Sequence, residues 1–422
     1  MKDITTISGV IKSDLCISCG ACAAYKPELI TLRENKKKGL LEPVVKKLTA
    51  IDEVDVMNIC PGKGYDIHKL SSKKFGIDTY SSYELGLYRQ LGVGFANSDR
   101  VMEKASSGGL MTAIAYYLLD KKIVDGVIVT KIIPGDKKIG PRTKTFIATN
   151  LEGLLEAQGS KYCPVPSLDI RTVVEDFDGQ LAFVGTPCQI AGLELLKEQQ
   201  LGWANKIIFT IGNFCGGFRD FRETDKIIER AGFRPEKVEN FTYRGGGQPG
   251  RMYIQSGEKV KELNYPDYAR ATGFIKHKRC RYCIDATGEL ADISFGDAWI
   301  EKYLKSGQGW SIFVARSLMA TDVINGMFAD KQIYFENIGE NEIIASQIGN
   351  ISTKKYRQGA RNKLAQLFNE AVPDFNEVNK KFEGSILFEL KVLATHKIFY
   401  FLEILGLYKF ISKLLKRYPQ DM

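Results

Sequence analysis

Eight of the nine cysteines in this chain fall into two sets of four, and neither set is spaced like a disulfide framework. The first is Cys16, Cys19 and Cys22, in the run C-I-S-C-G-A-C, joined after a long gap by Cys60 in the dipeptide Cys60-Pro61. The second is Cys188, Cys215 and the pair Cys280-Arg-Tyr-Cys283. Four thiolates that converge on one point bind metal, and iron-sulfur clusters held this way carry single electrons. The chemistry written into the chain is therefore electron transfer.

In two-cluster ferredoxins a C-x2-C-x2-C-x3-C-P run lends its last cysteine to the other cube. Here Lys26-Pro27 stands where that crossing cysteine would be, and of the second run only Cys60-Pro61 remains. The two absences remove every ligand of one cube and leave all four of the other. This predicts a ferredoxin-like segment with one 4Fe-4S cluster, against the alternative of a structural zinc site, which more often uses paired C-x2-C hooks.

The second set is more dispersed, and a lone C-x2-C fits zinc, a redox disulfide or iron-sulfur. Its neighbours sharpen it. Leu181-Ala-Phe-Val184 reads as a buried strand and Gln189 to Glu198 as a helix, so Cys188 sits on a strand-to-helix turn. Free backbone N–H groups and the helix dipole stabilise a thiolate there. Cys215 follows the apolar run Ile207 to Ile211 in the same way, and two such ligands at one end of neighbouring strands can converge with Cys280 and Cys283. Buried core thiols are the competing reading for Cys188 and Cys215. Cys163 stands outside both sets, as a flank of a cofactor site.

Three loops could hold a cofactor. Ser106-Ser107-Gly108-Gly109, with Thr112, opens an amphipathic helix where hydroxyls, close backbone approach and the helix N-terminus suit a pyrophosphate, although Ser-Ser-Gly is also an ordinary cap. Gly159-Ser160-Lys161-Tyr162 brings a lysine that could approach a phosphate or flavin ring. Ala291 to Trp299 brings Asp297 and Trp299 beside the second C-x2-C, where a buried structural aspartate is the plainer reading.

The elements that must position these residues follow. The 422 residues, 44% hydrophobic and 26% charged, suffice for two or three domains. Residues 1–72 carry the first cluster loop and end in a polar linker, Ser71-Ser-Lys-Lys74. Strands then alternate with helices across 80–348: Leu110 to Leu119 helical, Val124 to Ile133, Leu181 to Val184, Ile207 to Ile211 and Ile312 to Ala315 extended. Such alternation predicts an α/β fold with a mixed, partly parallel sheet. Phe241 to Leu263, with Gly245-Gly-Gly247, reads as a hairpin or loop, and residues 349–422 as a helical, amphipathic, basic region. The net charge of +9 and the run Lys36-Lys37-Lys38 read as a solvated basic face with no nucleic-acid motif. No secretory signal opens the chain and free ligand cysteines favour a reducing compartment, so the cytoplasm is expected. Three histidines leave little room for histidine-centred hydrolysis.

Taken jointly, Ser106 to Gly109, Gly159 to Tyr162, Gly185-Thr186-Pro-Cys188-Gln189, Phe214-Cys215-Gly216, Cys280-x2-Cys283 and Ala291-Asp-Ile-Ser-x-Gly-Asp-Ala-Trp299 resemble the coenzyme F420 hydrogenase/dehydrogenase beta-subunit family, fused to an N-terminal ferredoxin-like domain. The resemblance runs from about residue 85 to 340. It implies an iron-sulfur flavoprotein with FAD and a 4Fe-4S cluster in the main domain, held by Cys188, Cys215, Cys280 and Cys283. It further implies that Ser106, Ser107, Gly108, Gly109, Thr112, Gly159, Ser160, Lys161 and Tyr162 lie along the flavin, with Thr186, Gln189 and Asp297 nearby, and that Lys161 stabilises reduced flavin. The family also contains chlorophyll-pathway reductases and bacterial members associated with surface-polysaccharide genes.

The expected activity is an oxidoreductase that relays single electrons from ferredoxin or another low-potential donor through two 4Fe-4S clusters to FAD, and on as hydride to a small-molecule or deazaflavin acceptor. The alternative is a non-catalytic electron-transfer or scaffold subunit. Its support is the stretch 385–418, apolar but interrupted by Glu389, Lys391, Lys397, Glu403, Lys409 and Lys413, which is too charged to span a bilayer and suits a membrane surface, a partner enzyme or a second copy in a homo-oligomer.

Overall fold

The computed structural model describes residues 4–76, 80–268, 276–376, 384–404 and 407. In the N-terminal segment β1 (Ile30–Asn35) and β2 (Leu40–Val45) form an antiparallel hairpin between the helices Ala21–Tyr25 and Ala50–Asn58. A short pair follows, β3 (Tyr80–Ser82) and β4 (Gly86–Tyr88). The main sheet takes β5 (Gln90–Ala96), β6 (Gly126–Ile133), β7 (Arg142–Ala148), β8 (Leu181–Gly185) and β9 (Ile207–Asn213). A separate antiparallel sheet is made of β10 (Asn240–Gly245), β11 (Arg251–Ser256) and β12 (Lys259–Asn264). The chain then returns to the main sheet through β13 (Ile293–Asp297), β14 (Ser311–Ala315) and β15 (Ile333–Asn337).

The main sheet has eight strands in the order β15-β5-β14-β13-β9-β8-β6-β7. Strands β6, β8, β9 and β13 run parallel, and the other pairings are antiparallel. This is the mixed α/β sheet that the alternation predicts. Strand β8 is apolar along its length because both of its faces are covered. Alternation sends Ala182 toward the helices Leu110–Asp120 and Leu318–Ala329, and Phe183 toward the helix Pro187–Glu198 and the N-terminal segment.

The polar run Ser71 to Lys74 is not a linker. It belongs to the helix Ile67–Phe75, so the expected boundary at residue 72 falls inside a helix. The cause is a set of distant partners: the Lys74 ammonium meets Glu194 at 2.9 Å, Asp292 at 3.1 Å and the Leu290 carbonyl at 2.9 Å. Ile67 and Leu70 of the same helix join the core beneath β8, so the N-terminal segment and the main sheet share one apolar cluster.

The glycine-rich stretch 241–263 resolves into β10 to β12, with Gly246 and Gly247 at φ 70° and 106° in the β10–β11 turn, a conformation that glycine adopts without strain. The described residues after Gln347 are largely helical, through Ile348–Ile351, a π-helical turn at Ser352–Tyr356, Gln358–Leu367 and Ile386–Ile404. Arg357 pairs with the buried Glu389 at 2.6 Å and ties the last helix to the body. Lys409, Lys413, Lys416 and Arg417 of the expected amphipathic tail lie outside the described residues. No described helix is long and apolar enough to cross a membrane.

Candidate functional site

Each cysteine set gathers. Cys16, Cys19, Cys22 and Cys60 line one small cavity walled by Ile7, Val10, Ile11, Leu32 and Pro43. The loop that carries the first three turns through Ser18 at φ 58° and Gly20 at φ 88°. A side chain at Gly20 would stand 2.6 Å from the Asp169 backbone nitrogen, and the neighbouring Cys19 carbonyl accepts from the Leu168 N–H at 2.8 Å, so the loop is pinned to the main domain. Cys60 follows the helix Ala50–Asn58, whose start is fixed by the reciprocal cap of Thr49 and Asp52. Lys26, in the place of the missing crossing cysteine, pairs with Asp52 at 3.0 Å and Asp55 at 3.3 Å on that same helix.

Cys188, Cys215, Cys280 and Cys283 line a second cavity of about 580 Å³. Cys188 lies in the first turn of the helix that follows β8, and Cys215 two residues beyond β9, its parallel neighbour, so strand topology brings both to one edge of the sheet. The turn at Cys188 is built by Thr186, whose N–H donates to Gln189 Oε1 at 2.8 Å, with Pro187 in the first turn. The short helix Lys278–Arg281 supplies Cys280, and Cys283 follows it.

The chemistry of both donor sets fits an anionic, thiolate-bound group. Burial pushes the Cys16 thiol up to about 12 and raises Cys60, and it drives Cys19 and Cys22 well above the usual thiol range, with the neighbouring sulfurs adding to the effect in Cys16, Cys19 and Cys22. In the second set burial, reinforced by the adjacent sulfurs, takes Cys188 up to about 12 and Cys280 up to about 11. Thiols raised in this way ionise where a metal balances their charge. Of three buried hydroxyls with no hydrogen-bond partner among the described residues, two lie at the quartets: Ser18 Oγ, within the first cysteine loop, and Tyr65 Oη, beside Cys188 and Cys283. Among the described residues no three or more His, Cys, Asp or Glu side chains are gathered as a single-ion site.

The second cavity also collects the cofactor loops. Ser106, Ser107, Gly109 and Thr112 line it, as do Gly159, Ser160, Lys161, Tyr162, Thr186, Gln189, Asp297 and Cys163. Gly108 serves from behind: its N–H donates to Ser311 Oγ at 2.9 Å, and a Cβ on it would stand 2.4 Å from the Gly94 carbonyl oxygen. Gln189 is committed to the chain through Thr186 and, from Nε2, through the Val165 carbonyl at 2.9 Å. The Lys161 ammonium donates to the carbonyls of Ala157 and, at 2.8 Å, Gly159; burial lowers its pKa to about 8. Trp299 is not part of this wall, and its ring packs against Tyr265 at 5.9 Å.

The spacing of cysteines and glycines does not reveal the cations. Among the described residues Lys161, Arg219, Arg244, Lys276, Arg279 and Lys354 line the cavity, against one acid, Asp297. Arg244 closes on Asp297 at 2.5 Å and donates to the carbonyls of Ser106 at 2.7 Å and Pro249 at 2.8 Å, which fixes the serine loop. Its only sequence signal is its place immediately before Gly245-Gly-Gly247. A cavity with this excess of positive charge is built for an anionic occupant.

Two family models match one after the other, "Coenzyme F420 hydrogenase/dehydrogenase, beta subunit N-term" over residues 92–171 and the C-terminus of the same subunit over 178–341. The coenzyme F420 hydrogenase subunit beta of Methanococcus voltae is 30% identical over 58% of this chain and 83% of its own length. The coenzyme F420-dependent sulfite reductase of Methanocaldococcus jannaschii is 24% identical over 91% of this chain, which spans 57% of that protein. A chain of the F420-reducing [NiFe] hydrogenase complex from Methanosarcina barkeri shares the fold, with a TM-score of 0.54 and 20% identity over 72% of this chain and 98% of that one.

Proposed function

The chain belongs to the coenzyme F420 hydrogenase/dehydrogenase beta-subunit family, and from that premise we propose that it is an iron-sulfur flavoprotein oxidoreductase with two 4Fe-4S clusters and FAD. Cys16, Cys19, Cys22 and Cys60 would hold one cluster, Cys188, Cys215, Cys280 and Cys283 the other, and the serine-glycine and Gly159 to Tyr162 loops the flavin nucleotide. The observation that carries the reading is that the second cysteine quartet and these loops open into one cavity under six basic side chains. A cube places its four thiolates on four separate irons, so such a quartet need not close to the sulfur-sulfur spacing of about 3.8 Å that one tetrahedral zinc requires. When bound, the clusters supply one-electron steps and the flavin exchanges a pair as hydride.

The residues divide the remaining work. The Ser106 to Gly109 loop would lie along a pyrophosphate; it is fixed by Ser106 Oγ on the Arg244 carbonyl at 3.1 Å, by Ser107 Oγ with Ser311 Oγ at 2.9 Å and by Arg244 on the Ser106 carbonyl, and Gly109 leaves its surface free of a side chain. Lys161, in the cavity wall, supplies positive charge toward an anionic reduced ring. The apolar wall around the first quartet keeps water from its sulfurs. A low-potential donor such as ferredoxin would load the N-terminal cluster, and a small-molecule or deazaflavin hydride acceptor would meet the flavin. Anaerobic dithionite addition tests the scheme: it should bleach both cluster absorption and a flavin band, and a protein with neither chromophore would end it.

A second reading, a subunit that passes electrons within a larger assembly, is favoured by the last helix. Leu387, Ile398 and Phe401 on it are 58–63% exposed, and the solved neighbour belongs to a multi-subunit hydrogenase complex. Removing residues 385–422 should leave flavin reduction intact and abolish co-purification with a partner enzyme or a membrane fraction.

A further inference from the structure

The two cysteine quartets sit in surroundings of different charge. Among the described residues, no basic side chain lines the cavity at Cys16, Cys19, Cys22 and Cys60. At the second quartet Lys276, Arg279 and Lys354 line the cavity together with the sulfurs; Arg279 is shared, because it also bonds the Pro61 and Gly62 carbonyls beside Cys60, so Lys276 and Lys354 make the difference. Lys354 is the most committed of these. Its side chain is buried, its ammonium donates to the Asp285 carbonyl oxygen at 2.6 Å, and it approaches Cys283 Sγ at 3.5 Å.

The placement comes from the π-helical turn Ser352–Tyr356, a widened turn of a kind that recurs at functional sites and that here buries two successive lysines. Lys355 meets Glu289 at 2.8 Å in an ion pair that is almost completely buried. Among the described residues Lys354 bonds no carboxylate; its partners are a carbonyl oxygen and a sulfur, and the Asp285 carboxylate acts on it only without a bond, after the sulfurs of Cys283, Cys215 and Cys280. A buried ammonium without a bonded counter-charge is expensive unless the group it faces is negative. A cube ligated by four thiolates is an anion and gains one more negative charge on reduction. Net charge and hydrogen bonds to sulfur are among the determinants of cluster potential.

We propose that Lys354 is a positioning residue for charge: it raises the reduction potential of the cluster at Cys188, Cys215, Cys280 and Cys283 above that of the cluster at Cys16 to Cys60, and so makes electron flow run from the N-terminal quartet toward the flavin cavity. The inference rests on the two-cluster reading above. In the step concerned one electron leaves the first cluster, which is oxidised, and enters the second, which is reduced. No bond forms or breaks, and the electron comes from the low-potential donor already named.

The test is a redox titration of the full chain, purified anaerobically and followed by electron paramagnetic resonance, with the two signals assigned by Cys60→Ser and Cys188→Ser variants. In the wild type the signal that depends on Cys188 should have the higher midpoint. Lys354→Met should keep iron and sulfide content and the N-terminal midpoint. It should lower the other midpoint enough to reduce electron sharing toward the second cluster about tenfold, equivalent to about 59 mV for one electron. Lys354→Arg, which retains the charge, should recover most of the shift. Unchanged midpoints in a fully loaded Lys354→Met variant would overturn the inference. So would a wild-type order with the N-terminal midpoint higher, a result that does not depend on the Lys354 variants. Wild-type protein lacking iron would instead overturn the two-cluster reading itself, and the inference with it.

Discussion

Arg279 holds Pro61. Its guanidinium donates to the Pro61 carbonyl oxygen at 2.8 Å and to that of Gly62 at 3.0 Å, while Cys280 follows it directly in the chain. The residue is buried, and its guanidinium lies over the Phe375 ring at 4.7 Å. One side chain thus ties the turn after Cys60 to the loop that starts the last ligand pair, and it links the two quartets through a covalent and hydrogen-bonded path.

Arg279→Met should therefore destabilise the fold. It leaves the buried Gly62 carbonyl without its donor and the Pro61 carbonyl with only the Gly64 N–H at 3.4 Å, a loss on the order of 1 to 4 kcal/mol at the usual cost of an unsatisfied buried acceptor. Arg279→Lys should recover little of it, because an ammonium does not reproduce the fork that spans both oxygens. Urea unfolding of anaerobic protein measures the effect, and a change below about 0.5 kcal/mol would show that the clamp is idle.

The cysteines should separate cleanly by quartet. Cys60→Ser and Cys188→Ser should each remove about half of the iron and acid-labile sulfide, since each breaks one four-thiolate set. Cys163→Ser should remove none, because Cys163 is buried beside Tyr243 and stands outside both quartets. Iron loss in the Cys163 variant would mean that the ligand sets are misassigned.

Gly108→Ala should empty the nucleotide end of the cavity and leave the iron in place. The added Cβ would stand 2.4 Å from the Gly94 carbonyl oxygen and 2.6 Å from the Ser311 nitrogen, both backbone atoms that cannot swing away. The loop has to move, at a cost of about 1–3 kcal/mol typical of overpacking. Flavin and iron content, measured on the same preparation, check both halves of the expectation.

Lys161 should give the cavity a pH dependence. Burial lowers its pKa from 10.5 to about 8, so it is a cation below that value and neutral above it. Affinity of the flavin-free protein for FAD should fall as the pH rises through about 8, and Lys161→Met should flatten this dependence; flavin fluorescence during titration reports it. The unfolded side chain keeps its proton up to about 10.5 while the folded one releases it near 8, so the unfolded state binds more protons between these values. The folded chain consequently gains stability as pH rises across that window.

Much of the site was legible because its signals are local. Cys188 could be placed on a strand-to-helix turn because Leu181 to Val184 and Gln189 to Glu198 carry distinct periodicities, and Ser106 to Thr112 on a helix start because the apolar positions after Gly109 repeat at helical spacing. The cations were not legible. Lys354 lies 71 residues from the sulfur it approaches, and Arg279 218 from the carbonyl it holds, so no spacing rule connects them. The misread linker has the same origin: Ser71 to Lys74 look solvated until Glu194 and Asp292 arrive from distant parts of the chain.

The central claim, two thiolate-bound clusters with a flavin near the second, is tested most directly by the iron, sulfide, zinc and flavin content of anaerobically purified protein. The account predicts about eight irons, about eight sulfides and about one FAD per chain, as two four-iron cubes require. Zinc in place of iron, or iron with no flavin, would contradict it.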